Sequence, residues 1–120
     1  MWNTPTKEVL TKIPRLYETE GIEAKEKLIY MHFFLAGSDW YIAEFDGDDT
    51  FFGFVCLNGW TDCAEWGYIS FIELKELVVK APVSIYGENA GYIPVEVDRD
   101  INWTPKKPSE IALIRECEGW

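Results

Sequence analysis

The pattern of apolar and polar positions predicts a short helix followed by a run of strands. Residues 5–13 carry apolar side chains at helical spacing, with Thr4 as the expected N-cap. Aromatic and branched side chains then predict three strands, over residues 28–36, 40–45 and 50–57. Because the connections between them are short, at residues 37–39 and 46–49, we expect neighbouring strands to pair antiparallel.

The two later strands of this run allow residue-level predictions. Alternation places one set of side chains on one face of the second strand (Trp40, Ile42 and Glu44) and the other set on the opposite face (Tyr41, Ala43 and Phe45). Gly53, inside the third strand, indicates a bulge or the close approach of another backbone.

The second half of the chain predicts further short elements. Ser70 and Glu73 have the spacing of a capping box, which predicts a helix to about Val79. Short strands are expected over residues 83–86 and 92–97, and Ser109 is the expected N-cap of a last helix over residues 110–117. The whole pattern predicts the α+β class, an antiparallel strand meander with helices packed on one face, in one domain over residues 1–120.

Composition adds an uneven distribution of charge. The chain has 11 Lys and Arg against 21 Asp and Glu, a net charge of −10 at pH 7. Eight of the acids and no basic residue lie within residues 36–73. Such a segment repels phosphate backbones and anionic membranes, so we expect neither direct nucleic-acid binding nor membrane binding. It attracts basic proteins or cations, although acidity also simply keeps a protein soluble.

The sequence also bears on location and metal binding. No apolar run approaches the roughly 18–20 residues of a membrane span, and the first 20 residues lack the apolar core of a secretory signal. Cys56, Cys63 and Cys117 are odd in number and form no C-x-x-C pair, which predicts reduced thiols and a cytoplasmic protein. With His32 they reach the ligand count of a zinc site without its paired spacings, so we expect no metal or cofactor.

The acidic turn that follows Glu44 is the first candidate site. Glu44 and Asp46 would share a face if the strand continued through Asp46. Together with Asp48 or Asp49 they could supply oxygen ligands to Mg²⁺ or Ca²⁺. A hydrolase that uses Glu44, Asp46 and Glu73 as paired carboxylates is the related alternative. The sequence has neither the spacing of an EF-hand loop nor a glycine-rich phosphate loop.

The loop over residues 58–66 is the second candidate because it combines acids with tryptophans. Trp side chains in such a loop either anchor a protein interface or fold back over the edge of the sheet, and the sequence leaves both open. The candidate partner-binding residues of the turn and the loop are Asp46, Asp48, Asp49, Trp60, Asp62, Glu65 and Trp66. A protein that imitates nucleic acid distributes its charge along a length, so we expect both the turn and the loop to contribute.

Four stretches of the chain together form a recognisable pattern. They are LTKIPRLYETE (residues 10–20), WYIAEFDGDDTFFGFV (40–55), GYISFIELKEL (67–77) and PVEVDRDINWTPKKPSEI (94–111). The pattern resembles a bacterial family catalogued as domain of unknown function 2958, over most of residues 9–111 but not around residues 79–93. The resemblance implies a small cytoplasmic protein of plasmids, integrative elements and phages, often encoded beside anti-restriction and DNA-transfer genes. It implies no catalytic residue.

Charge, aromatic residues and the resemblance together favour a binding protein over an enzyme. We expect it to bind and inhibit a basic host defence nuclease, of the anti-CRISPR or anti-restriction kind, through its acidic surface. The alternatives are a metal-binding module or hydrolase at the acidic turn, and an accessory fold in a plasmid or phage assembly. Acids spread over a convex face favour the binding protein, whereas acids that converge in a pocket favour the metal site or hydrolase.

Overall fold

The computed structural model describes residues 3–120 and contains one large antiparallel sheet and one separate hairpin. The first half contains α1 (Lys7–Leu10), β1 (Met31–Leu35), β2 (Ser38–Phe45) and β3 (Thr50–Cys56). The second half contains β4 (Glu65–Ser70), α2 (Phe71–Glu76), β5 (Val78–Ile85), β6 (Glu88–Glu96), β7 (Asp98–Arg99) and α3 (Ala112–Glu118). The strand order of the large sheet is β4-β3-β2-β1-β7, and β5 pairs with β6 alone.

The predicted α+β class and antiparallel pairing are confirmed, but the helices pack on both faces of the sheet. Leu10 of α1 and Leu74 of α2 join Phe33 of β1 in a first core. On the opposite face, Ile114 of α3 packs with Phe54 of β3 in a second core. The expectation of helices on one face is corrected, because the central strands carry large apolar side chains on both sides and each side needs a cover.

The alternation predicted for the second strand is confirmed up to Ala43 and wrong for Glu44 and Phe45, because a β-bulge interrupts β2. The register between β2 and β3 shifts between Ile42 and Glu44, which leaves Ala43 unpaired. One extra residue inverts the alternation that follows. Phe45 therefore joins Ile42 in the first core, and Glu44 lies on the opposite face of the sheet.

Gly53 lies in β3 beside this bulge, and the fold requires its missing side chain. A Cβ at this position would overlap the carbonyl oxygen of Tyr41 in β2. The prediction of a bulge or a close backbone approach at Gly53 is therefore confirmed. Gly67 pairs with Gly53 across β3 and β4, and a Cβ there would meet no heavy atom within 4 Å.

The helices are short, and their caps differ partly from the prediction. Thr6 rather than Thr4 caps α1, and Ser70 caps α2 as predicted by accepting a hydrogen bond from the Glu73 N–H at 3.2 Å. Ser109 does not cap α3, because it lies in a 3-10 turn that precedes that helix. No helix within residues 3–120 is both long and apolar enough to cross a membrane.

The first hairpin turn lies one residue earlier than predicted. Ser38 already pairs with Leu35, so the turn consists of Ala36 and Gly37, with φ angles of 46° and 88°. Two successive positive φ angles match the right-handed twist of a two-residue hairpin. The first strand is also shorter than expected, since it begins at Met31.

Strands β5 and β6 form a projecting two-stranded arm, residues 78–96. The helix predicted to reach Val79 ends at Glu76, and the chain then enters the arm directly. The arm turns at Tyr86 and Gly87, which both have positive φ. Its strands β5 and β6 are longer than the strands predicted over residues 83–86 and 92–97. Its exposed apolar residues are Val78, Ile85, Tyr86, Tyr92 and Ile93.

Candidate partner-binding surface

The hairpin tip between β2 and β3 (residues 46–49) is held by the carboxylate of Asp46. Its Oδ1 accepts hydrogen bonds from the backbone N–H groups of Asp48, Asp49 and Thr50, at 2.8, 3.0 and 3.1 Å. These bonds, that from Asp48 foremost, stabilise the charged form and lower the pKa of Asp46. The side chain is exposed, but one of its oxygens is already occupied by the turn.

Asp49 binds the start of α2. Its Oδ1 accepts a hydrogen bond from the Ile72 N–H at 2.6 Å, and its Oδ2 accepts one from the Ser70 hydroxyl at 2.8 Å. Asp48 is exposed, and its carboxylate accepts no hydrogen bond from any residue within 3–120. Of the three tip aspartates, Asp48 is therefore the one whose carboxylate has no structural role in this part of the chain.

The loop after β3, residues 57–64, presents Trp60 to solvent at the opposite end of that strand. The Trp60 N–H donates to the Leu57 carbonyl at 3.0 Å, and a 3-10 turn, Thr61–Cys63, follows. The Trp60 side chain is 64% exposed. Asp62 lies in the same 3-10 turn and is exposed as well. We call this segment the Trp60 loop.

Trp60 lines a groove along the edge strand β4. This depression of about 510 Å³ is also lined by Leu57, Glu65 and Gly67. A second depression of about 380 Å³ shares Leu57 with the first and reaches Glu73 of α2. We call the two depressions together the Trp60 groove. Among the described residues, β4 has no strand partner on its outer side.

The lining of the Trp60 groove combines apolar walls with carboxylates. Glu65 and Glu73 line it, Asp62 lies exposed in the adjoining loop, and no Lys or Arg within residues 3–120 lines it. Lys and Arg side chains have apolar stems and charged ends, so they suit such a surface. The exposed ring of Trp60 adds a face on which a cation is stabilised.

Trp66 does not belong to this surface. The predicted loop over residues 58–66 ends at Ala64, and Trp66 lies within β4. Its ring packs edge-on against Phe54, with 5.5 Å between the ring centroids, in the second core. Its indole N–H is buried without a hydrogen-bond partner among the described residues. The expectation of Trp66 as a loop anchor is therefore corrected.

No protein-family model, curated protein or solved structure matches this chain. The resemblance to the family of unknown function therefore stays a prediction. The function that the resemblance implies stays one as well.

Glu44, the first residue of the predicted acidic site, is buried at 4% exposure on the face opposite the first core. Its Oε1 accepts a hydrogen bond from the Tyr17 N–H at 2.9 Å, and its Oε2 accepts one from the Thr19 N–H at 3.1 Å and another from the Thr19 hydroxyl. Lys27, also buried, donates to the hydroxyl and the carbonyl of Thr19. Thr19 thus bridges two buried opposite charges and ties the preceding segment to β2.

The acidic site expected for a metal or a hydrolase does not assemble. Glu44 shares a cavity of about 290 Å³ with Glu20, while Asp46 closes the hairpin tip and Glu73 lines the Trp60 groove. No group of three or more His, Cys, Asp or Glu within residues 3–120 lies close enough together to hold a metal ion. The proposed set of Glu44, Asp46 and Glu73 is therefore corrected to three separate positions.

His32 and the three cysteines are likewise dispersed. The His32 Nε2 lies 2.7 Å from Asp39 Oδ1. Cys56 and Cys117 are neighbours, and burial raises the pKa of both thiols. Cys63 is exposed in the Trp60 loop. The four potential zinc ligands therefore do not form one site.

Sequence reasoning missed several residues of these sites. Leu57 and Tyr68 line the Trp60 groove, but their role depends on β4 being an edge strand, which no local pattern reveals. The polar stretch over residues 15–26 predicts a surface segment, yet Thr19 within it and Lys27 directly after it are buried. The only sequence signal for the buried pair of Thr19 and Lys27 is that Lys27 lies directly before an apolar strand.

Proposed function

We propose that this protein binds a basic protein partner through the Trp60 groove. The observation that supports this most is an exposed tryptophan beside a carboxylate-lined groove on a sheet edge. Trp60 and Leu57 offer apolar contact area, and Asp62 and Glu65 offer charge for lysine or arginine side chains. The open edge of β4 also allows an extended partner segment to pair with it.

The loop end of β3 should contribute more to this binding than the hairpin tip. Asp46 and Asp49 already accept hydrogen bonds from their own chain, whereas Asp62 and Glu65 are exposed at the groove. A carboxylate that is engaged internally loses those bonds when it turns toward a partner. Asp48 remains as the contribution of the tip to long-range attraction.

In its specific form, the proposal is that the partner is a host defence nuclease and that binding inhibits it. This version rests on the family resemblance, which implies a cytoplasmic protein of mobile elements. Nucleases of defence systems present Lys- and Arg-rich channels to nucleic acid, and an acidic groove with an aromatic anchor suits such a channel. The protein then acts as an anti-restriction or anti-CRISPR inhibitor without catalysis of its own.

The test is affinity capture from host lysate with three baits, followed by an inhibition assay on the captured nuclease. The baits are the wild type, Trp60→Ala combined with Glu65→Lys, and Glu118→Lys in α3 as a control for reversed charge. We expect the groove variant alone to lose the nuclease and its inhibition. Capture should also weaken steeply with salt, since the Debye length is about 8 Å at physiological ionic strength. Equal inhibition by all three proteins would contradict the proposal.

A second candidate function, an accessory role in a plasmid or phage assembly, is favoured by the arm. Its turn residue Tyr86 is 101% exposed, and Ile85 next to it and Tyr92, which pairs with Pro82 farther from the turn, are also exposed. Exposed apolar side chains on a projecting hairpin favour contact with another protein surface. Light scattering of the wild type and of Ile85→Ser with Tyr92→Ser tests for self-assembly. If the wild type and the variant are both monomeric at high concentration, self-assembly through the arm is excluded.

A further inference from the structure

A cleft of about 400 Å³ lies between α1, α2 and the hairpin tip. Its apolar lining includes Leu10, Phe45 and Phe71, which are all buried. It shares no lining residue with the Trp60 groove among those that the structure describes. The volume lies in the range of sites for small molecules.

The charge of this cleft is opposite to that of the whole chain. Lys7, Arg15 and Lys75 line it, while Asp48 is the only carboxylate within residues 3–120 that does so. None of the three cations forms an ion pair with another described residue. In a chain with 21 acids and 11 bases, three cations without an ion-pair partner among residues 3–120 therefore line one cleft. Like charges at one place favour a bound anion.

Two of these cations contact other residues that line the cleft. The Arg15 guanidinium lies against Gly47 so closely that a Cβ there would overlap its Nη1. The chain just before Arg15 is fixed by the Phe45 N–H, which donates to the Pro14 carbonyl at 2.8 Å. Lys75 Nζ lies 4.5 Å from the centroid of the Phe71 ring. Groups that are already positioned lose less conformational freedom when a ligand binds.

We infer that this cleft binds a small organic anion with a ring-sized apolar body. The guanidinium of Arg15 presents paired donors that match a carboxylate, phosphate or sulfonate group, and Lys75 adds a second positive charge. Leu10 and Phe71 give the apolar body a surface to cover. Among residues 3–120, this site shares no lining residue with the Trp60 groove, and only Asp48, which adds long-range attraction to the function proposed above, belongs to both proposals.

The test uses a fluorescent anion, 8-anilinonaphthalene-1-sulfonate, and its uncharged analogue N-phenyl-1-naphthylamine. The cleft variant combines Arg15→Gln with Lys75→Gln. The matched control combines Lys12→Gln with Lys80→Gln, which removes the same charge from exposed positions outside the cleft. We expect the dissociation constant of the sulfonate to rise about tenfold in the cleft variant and less than twofold in the control. The neutral analogue should bind all three proteins alike.

Equal sulfonate binding by the cleft variant and the control would overturn the inference, as would a wild type that binds no sulfonate. A second measurement uses the wild type alone and so does not depend on how the variants fold. Backbone amide shifts on titration with the sulfonate should be largest at Gly47, Phe71 and Lys75. Shifts concentrated at Leu57 and Gly67 instead would place the anion in the Trp60 groove and would also overturn it.

Discussion

Acids lie at both ends of β3, but their roles differ. At the hairpin tip, the carboxylates of Asp46 and Asp49 accept five hydrogen bonds from the tip, from the first residue of β3 and from the start of α2. At the Trp60 loop, Asp62 and Glu65 are exposed beside a groove. A count of charges along a sequence therefore does not distinguish acids that build the fold from acids that are available to a partner.

The strand between these ends keeps them apart. β3 has seven residues, which span about 20 Å at roughly 3.3 Å per residue. This separation exceeds the Debye length at physiological salt, about 8 Å, so the two acidic groups act on a partner almost independently. Substitutions of the hydrogen-bonded acids at the hairpin tip are therefore expected to change stability, and substitutions of the acids at the Trp60 loop are expected to change binding.

The greatest predicted loss of stability comes from a substitution in β3, the strand that joins the hairpin tip to the Trp60 loop. Gly53→Ala should lower the free energy of unfolding by about 3 kcal/mol or more, because its Cβ would overlap the Tyr41 carbonyl oxygen. Gly67→Ala, on the paired position, should be neutral or stabilise slightly, since the space there is open and glycine weakens a strand. Urea denaturation of both variants measures this, and equal losses would contradict the close approach at Gly53.

The next effect separates structural from exposed acids within the tip. Asp49→Ala should lower the free energy of unfolding by about 1–2 kcal/mol, since it removes the acceptor of the Ile72 N–H and of the Ser70 hydroxyl. Asp48→Ala should change it by less than about 0.5 kcal/mol. The same denaturation assay compares them. Two variants of equal stability would remove the structural role that we assign to Asp49.

The smallest effect is a dependence of stability on pH at Asp46. Its folded pKa lies below the ordinary aspartate value of 3.8, so its contribution to stability is complete above that value. The contribution is lost as the pH falls from about 3.8 through the folded pKa. Because the group is exposed, solvent screening limits it to a few tenths of a kcal/mol.

Asp46→Asn retains an acceptor oxygen but cannot titrate, so its urea midpoint should fall less between pH 5 and pH 3 than that of the wild type. A fall as large as that of the wild type would contradict this role of the Asp46 carboxylate.

Local patterns predicted the α+β class and the hairpin at residues 46–49, because periodicity and turn residues concern neighbours in the chain. They also predicted the role of Gly53, because glycine inside a strand often marks the close approach of another backbone. The face of Glu44 was predicted wrongly, since a bulge of one residue inverts the alternation after Ala43. The covering of both sheet faces could not be predicted, because it depends on how the C-terminal helix returns to the sheet.

The candidate site was predictable only in part. Asp62 and Glu65 are at the surface, as their polar context indicates, whereas the sequence left open whether Trp60 is exposed or folds back over the sheet edge. Trp66 has a similar sequence context but lies in β4, and only strand pairing turns its ring into the second core. The outermost two of the three cations in the cleft, Lys7 and Lys75, are 68 residues apart, so no spacing in the sequence could have joined them.

Binding of the partner through the Trp60 groove is tested most directly by the protection of the Cys63 thiol in the complex. Cys63 is an exposed thiol that lines the Trp60 groove, whereas burial raises the pKa of the other two thiols. The rate of its modification by N-ethylmaleimide should fall at least tenfold when the purified partner is bound. A thiol placed at the hairpin tip by Asp48→Cys should react at nearly the same rate with and without the partner. Protection of the tip thiol with full reactivity at Cys63 would contradict binding through the Trp60 groove.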